Sequence, residues 1–360
     1  MVTPNYYVPL LRWRMGEYQA LEKLSDICKA RTVPLIEVLP PDYDFELHQP
    51  KKHIDEQLKP FSKQVQKRWP DRPALIDTVQ IPAATRMGDG RHPLTYLFDE
   101  TRTVGMTHVP VTALDRDTAY QQSIRDIHAT DGRGAGLRCS LDETLDPDFG
   151  NNVEALLAQV GIAPDALDIL LDLQCPAYDP QSNLIAIIIA ALTGSTVFTT
   201  ARSVTLLATS FPDSLSSLQY GLAFLPRREW MLYKALVAAL PANLRCPGFG
   251  DYVIAAVTFA QGDMRFMRGS PNVRYTIDDG WLVAKAKRQK TGANQAYPGL
   301  CGAIVASGQF IGGGFSEGGK YIDGCRLGTE KLGNQTTWKW VATNHHITKV
   351  VADLATLSGT

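Results

Sequence analysis

The feature that most constrains this chain is a repeated switch of hydrophobic period. Residues 6–13 (YYVPLLRW) form a short apolar run rich in β-formers. After Gly16 comes a helical pattern over 17–30, with Leu21, Leu24, Ile27 and Cys28 on one face. The strand-like segment 33–39 (VPLIEVL) is followed by a polar loop and a long amphipathic stretch over 53–69. The alternation continues with strands at 73–80, 107–113, 135–141 and 166–174. Helices are expected at 92–104, 115–129, 151–160 and 183–192. Strands alternating with helices of about 10 to 15 residues indicate parallel βαβ units. Near-continuous apolar strands such as ALDILLDL (166–173) fit a sheet covered on both faces.

Six such units are legible. A seventh combines 203–210 with a helix over 228–240, and an eighth strand lies in 244–256. Eight units favour a closed TIM-type (β/α)8 barrel, class α/β, over an open doubly wound sheet. The pattern changes near Phe259. Beyond it, glycines and β-formers dominate, in 273–276, 281–285, 307–319 and 338–341, with one closing helix over 347–357. Asp279-Gly280 between two apolar runs signals a hairpin. The expected organisation is therefore a barrel over 1–260 and a β-rich C-terminal region with a terminal helix over 261–360.

Composition sets bounds on this reading. Of 360 residues, 44% are hydrophobic and 20% charged, which suits a chain with a sizeable core rather than a disordered one. Net charge is −1, so no overall basic excess points to nucleic acid. The charge is unevenly placed: 12 Lys/Arg face 6 Asp/Glu from Met264 onward, against 24 and 31 before it. The six cysteines are scattered without zinc-ligand spacing and are expected to be free thiols in a reducing cytoplasm. The N-terminal residues lack the pattern of a signal peptide. The apolar run 184–192 is about half of what a membrane span needs and is expected to be a buried helix, so no membrane association is expected.

A TIM-type barrel carries its chemistry at the C-terminal ends of its strands. Those ends supply Arg12 and Arg14, Glu37, Asp77, Thr112, Arg138, Asp172 and Asp251. Each acid interrupts or ends an apolar strand, and a buried carboxylate is costly unless paired, hydrogen-bonded or bound to a cation. One expectation is that Glu37, Asp77 and Asp172 ligate Mg2+ or Mn2+, with Asp77 and Asp172 also acting in catalysis. Arg12, Arg14, Arg138 and Asp251 would then contact the ligand, the arginines holding phosphate or carboxylate. The alternative is an Arg–carboxylate network that only satisfies itself.

The C-terminal region adds a second set of candidates. His345-His346, taken as lying on a strand, would face opposite ways, with His345 as an acid/base and His346 as a ligand contact. Tyr275 and Ser316 are further ligand-contact candidates. The glycine-rich segment 312–319 lacks phosphate-loop spacing and is expected to be a bulged hairpin. The basic run 285–290 (KAKRQK), with Trp281 and Tyr275, could touch nucleic acid through phosphates and stacking. No serine-hydrolase elbow or HExxH motif is present.

The opening YYVPLLRWRMGEYQAL followed by VPLIEV resembles the phage-type "beta protein" family of bacteria and their mobile elements. FGDYV (249–253), RYT (274–276), FSEGGKYI (315–322) and TWKWVATNHHIT (337–348) extend the likeness over almost the whole chain. The resemblance implies a prokaryotic cytoplasmic protein of prophage or phage-defence context and supplies no catalytic residues. Two functions are expected on these grounds. The first is a barrel that binds an anionic nucleotide or phosphoester, with metal-assisted phosphoester hydrolysis if it is an enzyme. The second is an interaction module that recognises a protein or nucleic acid through its C-terminal region.

Overall fold

The computed structural model describes residues 6–258, 269–288 and 293–357. Its strands of three or more residues are β1 (Tyr7–Arg12), β2 (Leu35–Glu37), β3 (Leu75–Asp77), β4 (Val109–Thr112), β5 (Ala135–Ser140), β6 (Leu167–Asp172), β7 (Ser203–Ala208), β8 (Gly221–Pro226), β9 (Gly248–Asp251), β10 (Asn272–Thr276) and β11 (Gly280–Lys285). Eight of them close a parallel barrel in the order β1-β9-β7-β6-β5-β4-β3-β2, with β1 pairing both β2 and β9. The expected TIM-type barrel is the observed fold, including the seventh and eighth strands.

Two compact units share the chain. The first comprises residues up to Trp13, Thr32–Ala208 and Leu232–Asp251, and holds the barrel. The second comprises Arg14–Arg31, Thr209–Met231 and the chain from Tyr252 on. The division is interleaved because 14–31 and 209–231 are excursions from the barrel sequence. The second of these excursions contributes β8, whose partner β11 lies some sixty residues later.

In the barrel unit, helix ends obey the local chemistry. Asp117 caps the Thr118–Asp131 helix by accepting from the amides of Ala119 and Tyr120, and Gly132 ends it in the left-handed region at φ +66°. The 53–69 stretch folds as two helices, Ile54–Leu58 and Phe61–Arg68, because Pro60 intervenes. The 184–192 run does lie in a helix, Gln181–Gly194, but only part of it is buried. Leu184, Ile188, Ala191 and Leu192 face inward, whereas Ile187 is 41% exposed.

In the second unit, β8, β11 and β10 form an antiparallel sheet. The hairpin predicted at Asp279-Gly280 is present, with the Ile277 amide donating to the Gly280 carbonyl at 2.9 Å. The C-terminal segments beyond this hairpin differ from expectation. The segment 307–319 is a loop leading into the Glu317–Leu327 helix, and 338–341 lies inside the 23-residue Gln335–Leu357 helix. Its residues Trp338 to Ile347 are mostly buried on all sides, packing with Tyr275, Leu282, Ile304 and Ile322. A helix buried all round carries no 3.6-residue stripe, and its aromatic and β-branched residues then mimic a strand. The 17–30 segment is two helices, Met15–Glu22 and Asp26–Ala30, and Ile27 is 75% exposed rather than on the buried face.

Candidate functional site

Register determines which strand-end residues meet. Arg12, Glu37 and Asp77 are neighbours in one row across β1, β2 and β3. Side chains alternate along a strand, so residues sharing a row share a face. These three point into the barrel, as do Arg138 on β5 and Asp172 on β6. Asp251 does not join them. It pairs in register with Pro9, one residue out of phase with Arg12, and so faces the other side of the sheet. There its carboxylate accepts a hydrogen bond from the Tyr7 hydroxyl.

Arg138 is the centre of the cluster. Its Nη1 lies 2.7 Å from Glu37 Oε1 and 3.2 Å from Asp77 Oδ2, while Nε donates to Asp172 Oδ2 at 2.8 Å. Arg12 Nε approaches Glu37 Oε2 at 3.4 Å. Main-chain amides complete the acids: Val79 donates to Asp77 and Gln174 to Asp172. The three carboxylates expected to hold a divalent ion thus surround a guanidinium. Among the described residues, no group of three or more His, Cys, Asp and Glu side chains is disposed to hold a metal.

Sequence reasoning missed Arg116, in the loop after β4, whose Nη2 lies 3.5 Å from Asp77 Oδ1. A signal was available in the loop sequence ALDRDT, where an arginine stands four residues past the strand end. Arg116 also lines a cavity of about 280 Å3 beside the ring, with Gln80, His92, Asp117 and Tyr120. Its Nε is buried and makes no hydrogen bond. His92 Nδ1 accepts from the Leu94 amide, which leaves Nε2 as the protonated nitrogen. Burial pushes the His92 pKa down to about 4, with Arg86 adding to the effect, so the ring is neutral at pH 7. Burial raises Asp77 above the ordinary carboxylate value, outweighing the nearby Arg138 and Arg116.

The second unit holds the remaining candidates. Arg14 is exposed, and its carbonyl opens the Met15–Glu22 helix. His345 and His346 are fully buried on a helix, not alternating on a strand. His345 Nε2 donates to the Thr276 carbonyl at 2.8 Å, so its Nδ1 accepts from the Ser316 hydroxyl at 3.0 Å. The ring stacks on Tyr275 at 3.9 Å between centroids. His346 Nδ1 lies 2.9 Å from Thr276 Oγ1. Ser316 Oγ also accepts from the Gly319 amide, capping the Glu317–Leu327 helix. Desolvation pushes His345 down to about 3, far from the operating range of a general base at neutral pH. These contacts suit a fastener between helix and sheet.

The basic run is also partly internal. Lys285 is buried and its Nζ donates to the carbonyls of Leu215 and Leu218 at 2.6 and 2.8 Å. Trp281 and Tyr275 are buried too, so neither offers a face on which a base could stack. Lys287 and Arg288 are exposed, and Lys290 lies outside the described residues.

A family model described as Beta protein matches the chain over residues 7–352. The chain belongs to the Beta protein family. Among curated proteins none matches it. In this Beta protein family member the match spans the barrel strands and most of the Gln335–Leu357 helix. No helix among the described residues is long and apolar enough to cross a membrane.

Proposed function

We propose that this Beta protein family member binds a small phosphoester or the phosphate of a mononucleotide at the C-terminal end of its barrel. The observation that carries the reading is Arg116, which lines the strand-end cavity with a buried Nε that has no hydrogen-bond partner. A buried guanidinium N–H left unpaired costs free energy that an anionic oxygen would recover. Two helix N-termini, of Pro93–Thr103 and Thr118–Asp131, adjoin the cavity through their capping residues His92 and Asp117. Their dipoles favour negative charge. Asp115 and Asp117 also line the cavity, so a single phosphate suits it better than a polyphosphate chain. The setting implied by family resemblance, a prokaryotic cytoplasm and a prophage or phage-defence locus, is part of this proposal.

The test is calorimetric titration with AMP, inorganic phosphate and ATP. Wild type is expected to bind AMP more tightly than ATP, and Arg116→Gln to lose that binding. Absence of AMP and phosphate binding by folded wild type, or undiminished binding by Arg116→Gln, overturns the reading.

A further inference from the structure

The larger cavity lies at the opposite end of the barrel. It has a volume of about 330 Å3 and opens at the N-terminal ends of the strands. That size is within the lower range of small-molecule sites, roughly 300–1,000 Å3. Its walls are mostly apolar, with Val33, Leu75 and Val109 among them, and its polar residues include Arg133, Asp168 and Arg202. Leu75 and Val109 share a register row and point into the barrel, so the cavity is the lower mouth of the lumen.

The charges at this mouth are unequally committed. Asp168 is fully engaged: Arg202 Nε and Nη2 lie 3.0 and 2.5 Å from its two oxygens, and Ser203 donates at 2.6 Å. The third nitrogen of Arg202 donates to the Arg133 carbonyl. The Arg133 guanidinium, by contrast, makes no hydrogen bond among the described residues. Its Nη1 forms a loose ion pair with Asp131 Oδ2 at 3.7 Å, while Arg102 Nε takes the other oxygen, Oδ1, at 2.7 Å. Of the two arginines that line the cavity, Arg202 is held by Asp168, whereas Arg133 has only the 3.7 Å ion pair with Asp131 and keeps its N–H groups free of hydrogen bonds beside an apolar wall. His108, between the lining residues Thr107 and Val109, is buried with both ring nitrogens unpaired. Burial and the Arg133 charge push its pKa down to about 3, so the ring carries no charge at neutral pH.

We infer that this mouth is a second ligand site, one that takes a small amphipathic carboxylate. The carboxylate pairs with the Arg133 guanidinium, which can present two parallel N–H groups. The hydrocarbon body lies on Val33, Leu75 and Val109, removing apolar surface from water. The site is chemically distinct from the strand-end cavity, whose lining brings Gln80, Asp115, Arg116 and Asp117 together with Ile81 and Tyr120.

Ligand-observed NMR and calorimetry with hexanoate and benzoate test the inference, with hexanamide and benzamide as neutral isosteres. Wild type is expected to bind the acids at least tenfold more tightly than the amides, a difference of about 1.4 kcal/mol. Arg133→Gln is expected to abolish that preference while keeping the wild-type circular dichroism spectrum and AMP binding. Val109→Phe, which fills the cavity, is expected to weaken acids and amides alike. The inference is overturned if folded wild type binds neither acid at millimolar concentration, if acids and amides bind equally, or if Arg133→Gln keeps the preference. Since AMP reports only on the Arg116 cavity, failure here leaves the strand-end reading standing, and the reverse holds as well.

Discussion

Arg138 and Glu37 stand 101 positions apart in the chain and 2.7 Å apart at the mouth of the barrel. The same guanidinium reaches Asp77 and Asp172, so one cation on β5 ties together the ends of β2, β3 and β6. Buried charges in such a set are interdependent. The desolvation cost of each is offset by its partners, and removing one leaves the others uncompensated.

Replacing Arg138 is therefore expected to be severe. Arg138→Gln should lower unfolding free energy by about 3–5 kcal/mol, the range for breaking a buried ion pair from one side. Arg138→Lys should recover only part of this, because an ammonium cannot serve three carboxylates in the plane of a fork. Urea unfolding at neutral pH measures both. A loss below about 1 kcal/mol for the glutamine variant would show the ring to be energetically idle.

Buried histidines set the acid limit of stability. His108 and His345 are each depressed to about 3 by burial, from an ordinary value of 6.5. Between those values the unfolded chain binds protons that the folded one does not. Their contribution is thus present above pH 6.5 and lost as pH falls toward 3. Each should add up to about 1.4 kcal/mol per pH unit to the slope within that window. Urea unfolding of wild type and His108→Gln between pH 7 and 4 should show a shallower slope in the variant. Equal slopes would refute the assignment for His108.

Ser316 joins the Glu317–Leu327 helix to His345, and the two contacts predict a stability defect without a functional one. Ser316→Ala removes the cap to the Gly319 amide and the hydroxyl at His345 Nδ1. The expected cost is about 1–2 kcal/mol. Binding of AMP should be unchanged, and a loss of binding in a variant that remains folded would instead place Ser316 in a functional site.

Two nearby glycines separate strain from collision. Gly132 and Gly134 have φ of +66° and +74°, but a Cβ at Gly132 meets nothing, while one at Gly134 comes within 1.8 Å of the Ala166 carbonyl oxygen. Gly132→Ala should cost about 1 kcal/mol from backbone strain alone. Gly134→Ala should cost clearly more, since β5 and the chain entering β6 must move apart. Thermal unfolding of the pair measures the difference, and equal costs would contradict the close approach.

Much of the fold was present in the sequence, and the boundary is physical. Alternation of period two and period 3.6 marks strands and helices because local geometry alone decides which side chains share a face. Six legible units and two inferred ones, in order, favoured the barrel over an open sheet. Arg12, Glu37, Asp77, Arg138 and Asp172 were legible as inward strand-end residues because a charge interrupting an apolar strand must be compensated. What compensates it was not legible. Whether a carboxylate faces a metal, a ligand or Arg138 depends on barrel closure, which brings together residues a hundred positions apart. Closure and register also turned Asp251 toward Tyr7, a one-residue phase that no strand pattern reveals. The closing helix was expected over 347–357, but the first half of the Gln335–Leu357 helix escaped because burial on every side erased its period there, and tertiary packing overrode the strand preference of its residues. The sequence by itself determined the repeat, the fold class and the positions of the charges; only the tertiary structure decided which charges meet, because barrel closure sets Arg138 against Glu37, Asp77 and Asp172 and leaves the Arg116 Nε without a hydrogen-bond partner.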